Sequence, residues 1–226
     1  MSTTYGTWYK ETGRDAQMAD GHRPYWRHFI ETVPESDLSR RTVLDFGCNR
    51  GGFLDLLHAL KPYRRAVGVD IATESVEAAR RTCPHLPAVF EVAHDLARWP
   101  EAFDVAFSYE VIYLLPDLAF HARQIAQALR PGGVYYAVTG CHTASPLWPR
   151  WRELIAATSN APVQDHAPDD FIQAFAGAGL EVSFRQFGYK GFVPAVRHRE
   201  YYPDPIDAIR YADQDKLLFR LVKPDA

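Results

Sequence analysis

One stretch constrains this chain more than any other: Val43-Leu44-Asp45-Phe46-Gly47-Cys48-Asn49-Arg50-Gly51-Gly52-Phe53-Leu54. It reads as an apolar strand, an acid near the strand's end, a glycine-bearing turn and a helix start. Glycine lets a ligand come close to the backbone of such a turn. Asp70 follows about one β-α-β unit later, at the end of Ala66-Val67-Gly68-Val69. A carboxylate in that place grips ribose hydroxyls. Gly47, Gly51 and Gly52 miss the G-x-G-x-x-G spacing that brings backbone amides to a pyrophosphate. Asp45 would repel a pyrophosphate and suits a cationic ligand instead. The alternative is a tight turn between a core strand and a helix with no ligand at all.

The rest of the chain supplies the sheet around that turn. Residues 1–21, with Tyr5, Trp8 and Tyr9, have no clear period; they read as a segment folding over a ligand or as an ordinary surface strap. A helix is expected from His22, with Pro24 at a permitted early position and an apolar stripe of Tyr25, Trp26, Phe29, Ile30 and Val33. Strands are predicted at 43–46, 66–70, 88–92, 103–108 and 134–139, separated by helices at about 52–61, 74–82 and 117–129, with Thr73 as a helix cap. Pro131-Gly132-Gly133 should stop the last of these helices. Residues 141–167 break the rhythm with a short helix at about 147–157, a lid, a substrate wall or a cover for the sheet edge. Asp169 and Asp170 open another helix, 180–187 alternates as a sixth strand, and 216–222 closes as a seventh. Between them, 189–202 is aromatic and basic, with Lys190, Arg197, His198 and Arg199. Strand and helix alternating five times give an α/β fold, a doubly wound, mostly parallel sheet with helices on both faces as three layers. Ligands in such sheets bind beyond the carboxyl ends of the strands, which selects 45–51, Asp70, Asp95, Ser108 to Glu110, and 140–142.

At 226 residues the chain fits one domain: a cap segment over 1–40, a ligand-binding core over 41–140, and a lid or substrate segment with the closing strands over 141–226. Its net charge is −3, and the pairs Arg40-Arg41, Arg64-Arg65 and Arg80-Arg81 are scattered, so nothing calls for a nucleic-acid partner. The three cysteines, Cys48, Cys83 and Cys141, are sparse and odd in number, which places the chain in a reducing, cytoplasmic compartment. None sits in C-x-x-C spacing, so no metal site is expected. No apolar run is long enough to span a membrane, and the N-terminus is not a signal peptide. The sequence sets no oligomeric state.

The stretch 45–51 resembles the first motif of the class I S-adenosylmethionine-dependent methyltransferases, commonly D-x-G-C-G-x-G, with Asn49 where glycine is usual. Asn tolerates positive φ better than most residues. Phe103-Asp104-Val105-Ala106-Phe107-Ser108 looks like that family's fourth strand, and Leu129-Arg130-Pro131-Gly132-Gly133-Val134 resembles its turn before strand 5. The resemblance implies a seven-stranded sheet with the last strand antiparallel, to which the chain's own pattern adds an N-terminal helical cap and an insertion after strand 5. It implies S-adenosylmethionine as cofactor and S-adenosylhomocysteine as product. The loop with Asp45, Gly47, Cys48, Asn49 and Gly51 would hold the methionine part, Asp70 the ribose, Ile71 the adenine face, and Asp95 and Leu96 the adenine edge. Ser108 joins this set by its place at a strand end.

A sulfonium methyl is already electrophilic, so the protein has mainly to align a nucleophile and exclude water. A base is needed only where the nucleophile arrives protonated. His142 and Glu110 are the candidate catalytic residues, with His94 behind them. Tyr25, Trp26, Tyr109, Tyr113 and Trp148 are candidate substrate walls, their π faces suited to a sulfonium or an aromatic acceptor. Ser108-Tyr109-Glu110-Val111 is not the S-N-P-P-Y type of amide-nitrogen and adenine methyltransferases. A small-molecule acceptor follows, with oxygen the first choice of attacking atom and nitrogen or sulfur next. A regulatory module that keeps the fold without catalysis, and a protein or RNA methyltransferase, are the other classes.

Overall fold

The computed structural model describes residues 4–11, 13–194 and 201–225. Arg197, His198 and Arg199 lie outside the described residues. The chain runs α1 (Arg14–Thr32), β1 (Leu38–Phe46), α2 (Gly52–Leu60), β2 (Tyr63–Asp70), α3 (Thr73–Thr82), β3 (Ala88–Val92), β4 (Phe103–Tyr109), α4 (Leu118–Ala128), β5 (Leu129–Thr139), α5 (Trp148–Thr158), α6 (Pro168–Gly177), β6 (Glu181–Gln186), α7 (Pro205–Arg210) and β7 (Leu217–Val222). A 3-10 turn, Ile112–Leu114, follows β4, and a π-helical turn, Tyr211–Asp215, precedes β7.

The seven strands form one sheet in the order β3-β2-β1-β4-β5-β7-β6. Strands β1 to β5 pair in parallel, and β7 runs antiparallel to both β5 and β6. Central strands of such a sheet are covered on both faces, which is why they read as apolar runs. Alternate residues feed two cores. Val43, Ala66, Val105 and Phe107 meet Phe29 and Ile30 of α1, Leu54 and Leu57 of α2, and Val76 of α3. Leu44, Val67, Phe103 and Ala106 meet Ala122 and Ile125 of α4 and Phe171 and Phe175 of α6. Strand order reverses between β1 and β4, and the crevice beyond that reversal is where ligands lodge in open parallel sheets.

Four local expectations need correction. Helix α1 begins at Arg14, eight residues before His22, so Pro24 lies in its interior. Its first turn is secured by Asp15, buried and accepting the N–H groups of Trp8 (3.1 Å) and Tyr9 (3.0 Å) and the Ser75 hydroxyl (3.3 Å). Those bonds hold the helix start that Pro24 does little to favour. Thr73 is inside α3, not capping it; its N–H donates to the Tyr5 carbonyl at 2.9 Å. The Pro131-Gly132-Gly133 turn does not end a helix: it is a bulge within β5, where pairing jumps from Phe103↔Leu129 to Val105↔Val134. Between 203 and 215, where no element was expected, α7 and the π-helical turn bring Tyr211 to the ligand edge.

Candidate functional site

At the end of β1 the chain turns on Gly47 (φ 84°), Asn49 (φ 44°) and Gly51 (φ 81°). A Cβ on Gly47 would stand 2.3 Å from the Val111 methyl, so both the backbone angle and the close approach require glycine there. The N–H groups of Gly47 and Cys48 both donate to the Val69 carbonyl, at 2.8 and 3.0 Å, tying the turn to the end of β2. Asp70 completes the tie: one carboxylate oxygen accepts the Asn49 N–H and the other the Ala72 N–H, each at 2.8 Å. The two acids therefore share one rim. Burial pushes the Asp45 carboxyl well up and the Asp70 charge adds to the rise. Burial also raises Asp70, against the pull of its three backbone hydrogen bonds. Asp45 Oδ2 and Asn49 Oδ1 are buried acceptors with no hydrogen-bond partner.

A cavity of about 1410 Å³ opens from this rim. Single-ligand pockets run to roughly 300–1,000 Å³, so this one has room for two molecules side by side. It brings together Asp45, Gly47, Cys48, Asn49, Asp70 and Ile71 at one end with Tyr25, Trp26, Tyr109, Glu110 and Tyr113. The segment 4–11 is its roof. Tyr5 bridges to Ala72, Tyr9 to Ser159, and the Lys10 N–H donates to Thr158, so the strap joins α3 to the end of α5 across the opening.

Other expected residues lie elsewhere. Gly51 stands behind the turn against Phe90 and Cys83. Asp95 is exposed and accepts its own loop's Ala97 N–H at 3.1 Å. The Leu96 N–H donates to the Gln124 side chain at 2.8 Å. Ser108 is fully buried beside Tyr135. His142 is buried with Nε2 at 2.7 Å from the Asp215 carbonyl, and Trp148 donates its indole N–H to Asp165 at 2.9 Å. None of these six lines the cavity.

Glu110 is a hub. Its φ of 56° places it in the left-handed region, a strain of about 1–2 kcal/mol for a residue with a Cβ. The strain is held by four partners. Its N–H donates to Val138 (2.8 Å), and its carboxylate accepts from Gly140 N–H (3.1 Å), Tyr211 O–H (3.0 Å) and the Lys216 ammonium (2.9 Å). Burial raises the Glu110 carboxyl, but Lys216 and the hydrogen bonds outweigh it and leave it below the usual range. Lys216 also donates to the Tyr109 hydroxyl at 2.7 Å and sits 4.7–5.0 Å from the ring centroids of Tyr109, Tyr25 and Tyr211. Sequence reasoning missed Lys216, Tyr211 and His22, all of which line the cavity. The signal for Lys216 was available: β7 is antiparallel, so its first residues lie at the ligand edge of the parallel strands.

Sheet order and crevice together define a class I, Rossmann-like member of the S-adenosylmethionine-dependent methyltransferase superfamily. A methyltransferase-domain family model matches residues 18–191, and the chain belongs to that family. It is similar to the trans-aconitate 2-methyltransferase of Azoarcus sp. (strain BH72), 36% identical over 120 residues covering 52% of this chain and 46% of that protein. The trans-aconitate 2-methyltransferase of Methylobacterium nodulans is 26% identical over 224 residues, 87% of this chain and 86% of that one. The chain spans under half the length of the first curated relatives it matches, from 41% to 48%. Among solved structures, the complex between the Haloferax volcanii Trm112 methyltransferase activator and the putative methyltransferase contains a chain of the same fold, with TM-score 0.80, 24% identity and coverage of 94% of this chain and 95% of that one. Among the described residues no group of three or more His, Cys, Asp or Glu could hold a metal ion, and no helix is long and apolar enough to cross a membrane.

Proposed function

We propose that this chain transfers a methyl group from S-adenosylmethionine to a small-molecule acceptor, with oxygen as the attacking atom. The observation that carries this is the single cavity in which the Asp45–Asn49–Asp70 rim meets an aromatic chamber. The rim fits the cofactor. Asp45 Oδ2 and Asn49 Oδ1 are buried acceptors that lack donors, which an amino group supplies. Both oxygens of Asp70 keep a lone pair for ribose hydroxyls beyond their backbone bonds. Ile71 and Ala93 give an apolar slot for a purine, a role for which Asp95 and Leu96 would have to turn inward.

When bound, the cofactor supplies a methyl group that its sulfonium has already activated. The chain's own part is to hold the acceptor in line with that methyl and keep water out. Orientation of this kind contributes up to roughly 7–11 kcal/mol. Tyr109, Tyr113 and Trp26 wall the acceptor side, and Tyr5, Trp8, Tyr9 and Lys10 of the strap line the same cavity. The buried, unpaired thiols of Cys48, Cys83 and Cys141 support a reducing, cytoplasmic setting. The matched relatives are named for acceptors as different as trans-aconitate and fatty acids, which favours small acids and alcohols as the first compounds to try. The test is transfer of labelled methyl from S-adenosylmethionine to a panel of hydroxyl, carboxyl and amino compounds. Labelled product that disappears in Asp70→Asn supports the function; labelled protein or RNA with no labelled small molecule counts against it.

A further inference from the structure

The histidine that lines the cavity is neither His142 nor His94 but His22, and among the described residues it is alone in this. It projects from α1, half-buried, with its ring edge-on to Tyr109 (5.2 Å between centroids, 65°) and to Trp26 (5.9 Å, 67°). Glu110 is the next residue after Tyr109, and it feels the imidazole: after burial and Lys216, a charge on His22 adds to the forces that hold its carboxyl low. Among the described residues, Tyr109 faces the His22 ring, Glu110 feels its charge, and Lys216 reaches both of those and the Tyr25 ring. This end of the cavity also holds the Lys216–Glu110 pair, 2.9 Å apart. It offers flat rings to a flat neutral molecule, and an imidazole backed by a carboxylate to an acidic proton.

We propose, building on the methyl-transfer function above, that His22 is a catalytic base for a phenolic acceptor seated among Tyr25, Trp26 and Tyr109. A phenol is protonated at neutral pH, as tyrosine is, so it needs a base where a carboxylate does not. The O–H bond of the acceptor breaks and its proton passes to a ring nitrogen of His22. The electron pair left on oxygen forms the new O–CH3 bond while the C–S bond breaks, its pair going to sulfur. Glu110 stabilises the resulting imidazolium, which gives the proton to solvent as the products leave.

The test compares wild type, His22→Gln and His22→Ala on phenol, 4-methoxyphenol and 4-nitrophenol, following S-adenosylhomocysteine release from about pH 5.5 to 9.5. On phenol, kcat is expected to fall by about 10²–10⁴ in His22→Gln, with loss of the acidic limb of the profile. On 4-nitrophenol, ionised near neutrality, the loss is expected to be far smaller. Two readouts do not depend on turnover. S-adenosylhomocysteine affinity by calorimetry should be unchanged in His22→Gln, and the His22 imidazole signal in NMR spectra should move when phenol is added to the wild-type complex with S-adenosylhomocysteine. Equal losses on both phenols would make His22 a structural residue and overturn the proposal, as would an unchanged kcat on phenol. Wild type that binds S-adenosylhomocysteine but methylates carboxylic acids and no phenol overturns the acceptor assignment alone. Wild type that binds neither cofactor nor product removes the underlying function, a failure that calorimetry distinguishes from the others.

Discussion

Lys216→Met gives the sharpest expectation for the buried hub. The Lys216 side chain is 5% exposed and that of Glu110 12%, so the pair is screened little by water. Removing one partner of a buried pair costs about 3–5 kcal/mol, because the other charge stays behind unpaired. Glu110 would keep the Tyr211 hydroxyl and the Gly140 N–H, so the lower end, about 3 kcal/mol, is expected. Neutralising the survivor as well, in Glu110→Gln with Lys216→Met, should recover about 2 kcal/mol of that loss. The two proteins should also differ in pH dependence. In wild type the Glu110 carboxyl lies below its ordinary value. Its contribution is therefore complete above the unfolded value of about 4.3 and disappears as pH falls through the lowered folded value. Without Lys216, burial dominates and raises the folded value. The folded variant then holds a proton that the unfolded chain has released, so it loses stability as pH rises from about 4.3. Urea unfolding followed by tryptophan fluorescence at about pH 5 and pH 8 measures both effects. The gap between wild type and Lys216→Met should be wider at the higher pH. An additive double variant, or a gap independent of pH, refutes the reasoning.

Three further outcomes follow from the rim and the strap. Burial holds the Asp45 carboxyl well above its ordinary value, so its ionisation opposes folding: stability should fall as pH rises from about 3.9 through that raised value, and Asp45→Asn should remove this slope. Binding of the cationic cofactor should expel the same proton, seen as a calorimetric heat that varies with buffer; a buffer-independent heat contradicts it. Gly47→Ala meets both a φ of 84° and a methyl contact at 2.3 Å, so it should cost more than about 2 kcal/mol in thermal unfolding, whereas Asn49→Gly should cost less than about 1 kcal/mol. Asp15→Ala strips the acceptor from the Trp8 and Tyr9 N–H groups, at about 1–3 kcal/mol for each one left buried. Amide exchange over residues 5–10 should speed up while β1 stays protected; equal acceleration in β1 shows a global rather than a local effect.

Much of the framework could be read from the residues because strand–turn–helix units carry local signals. Asp45, Gly47 and Asp70 were placed by the apolar runs that precede them, and Asn49 was expected to tolerate the positive φ that it adopts at 44°. The antiparallel last strand was implied only by resemblance and the strand order was not set at all, since periodicity does not record which strands pair. What stayed hidden depends on contacts distant in sequence. The start of α1 rests on Asp15 reaching Ser75, 60 residues away, so Pro24 misled by local rules alone. Glu110 drew notice as a possible base, yet its bonds to Tyr211 and Lys216, each more than 100 residues on, make it a hub. His22 sits one turn before Trp26 on a helix that also buries Phe29 and Ile30 in the core, and nothing in the helical period distinguishes an imidazole facing a cavity from one facing solvent.

Calorimetric titration of the folded protein with S-adenosylhomocysteine, in wild type and Asp70→Asn, tests most directly whether the β1–β2 rim is an adenosyl site. Saturable one-to-one binding is expected in wild type, weakened by about 10- to 100-fold in the variant through loss of charged hydrogen bonds to the ribose. Folded wild type that gives no binding heat, or an Asp70→Asn protein that binds as tightly as wild type, contradicts it.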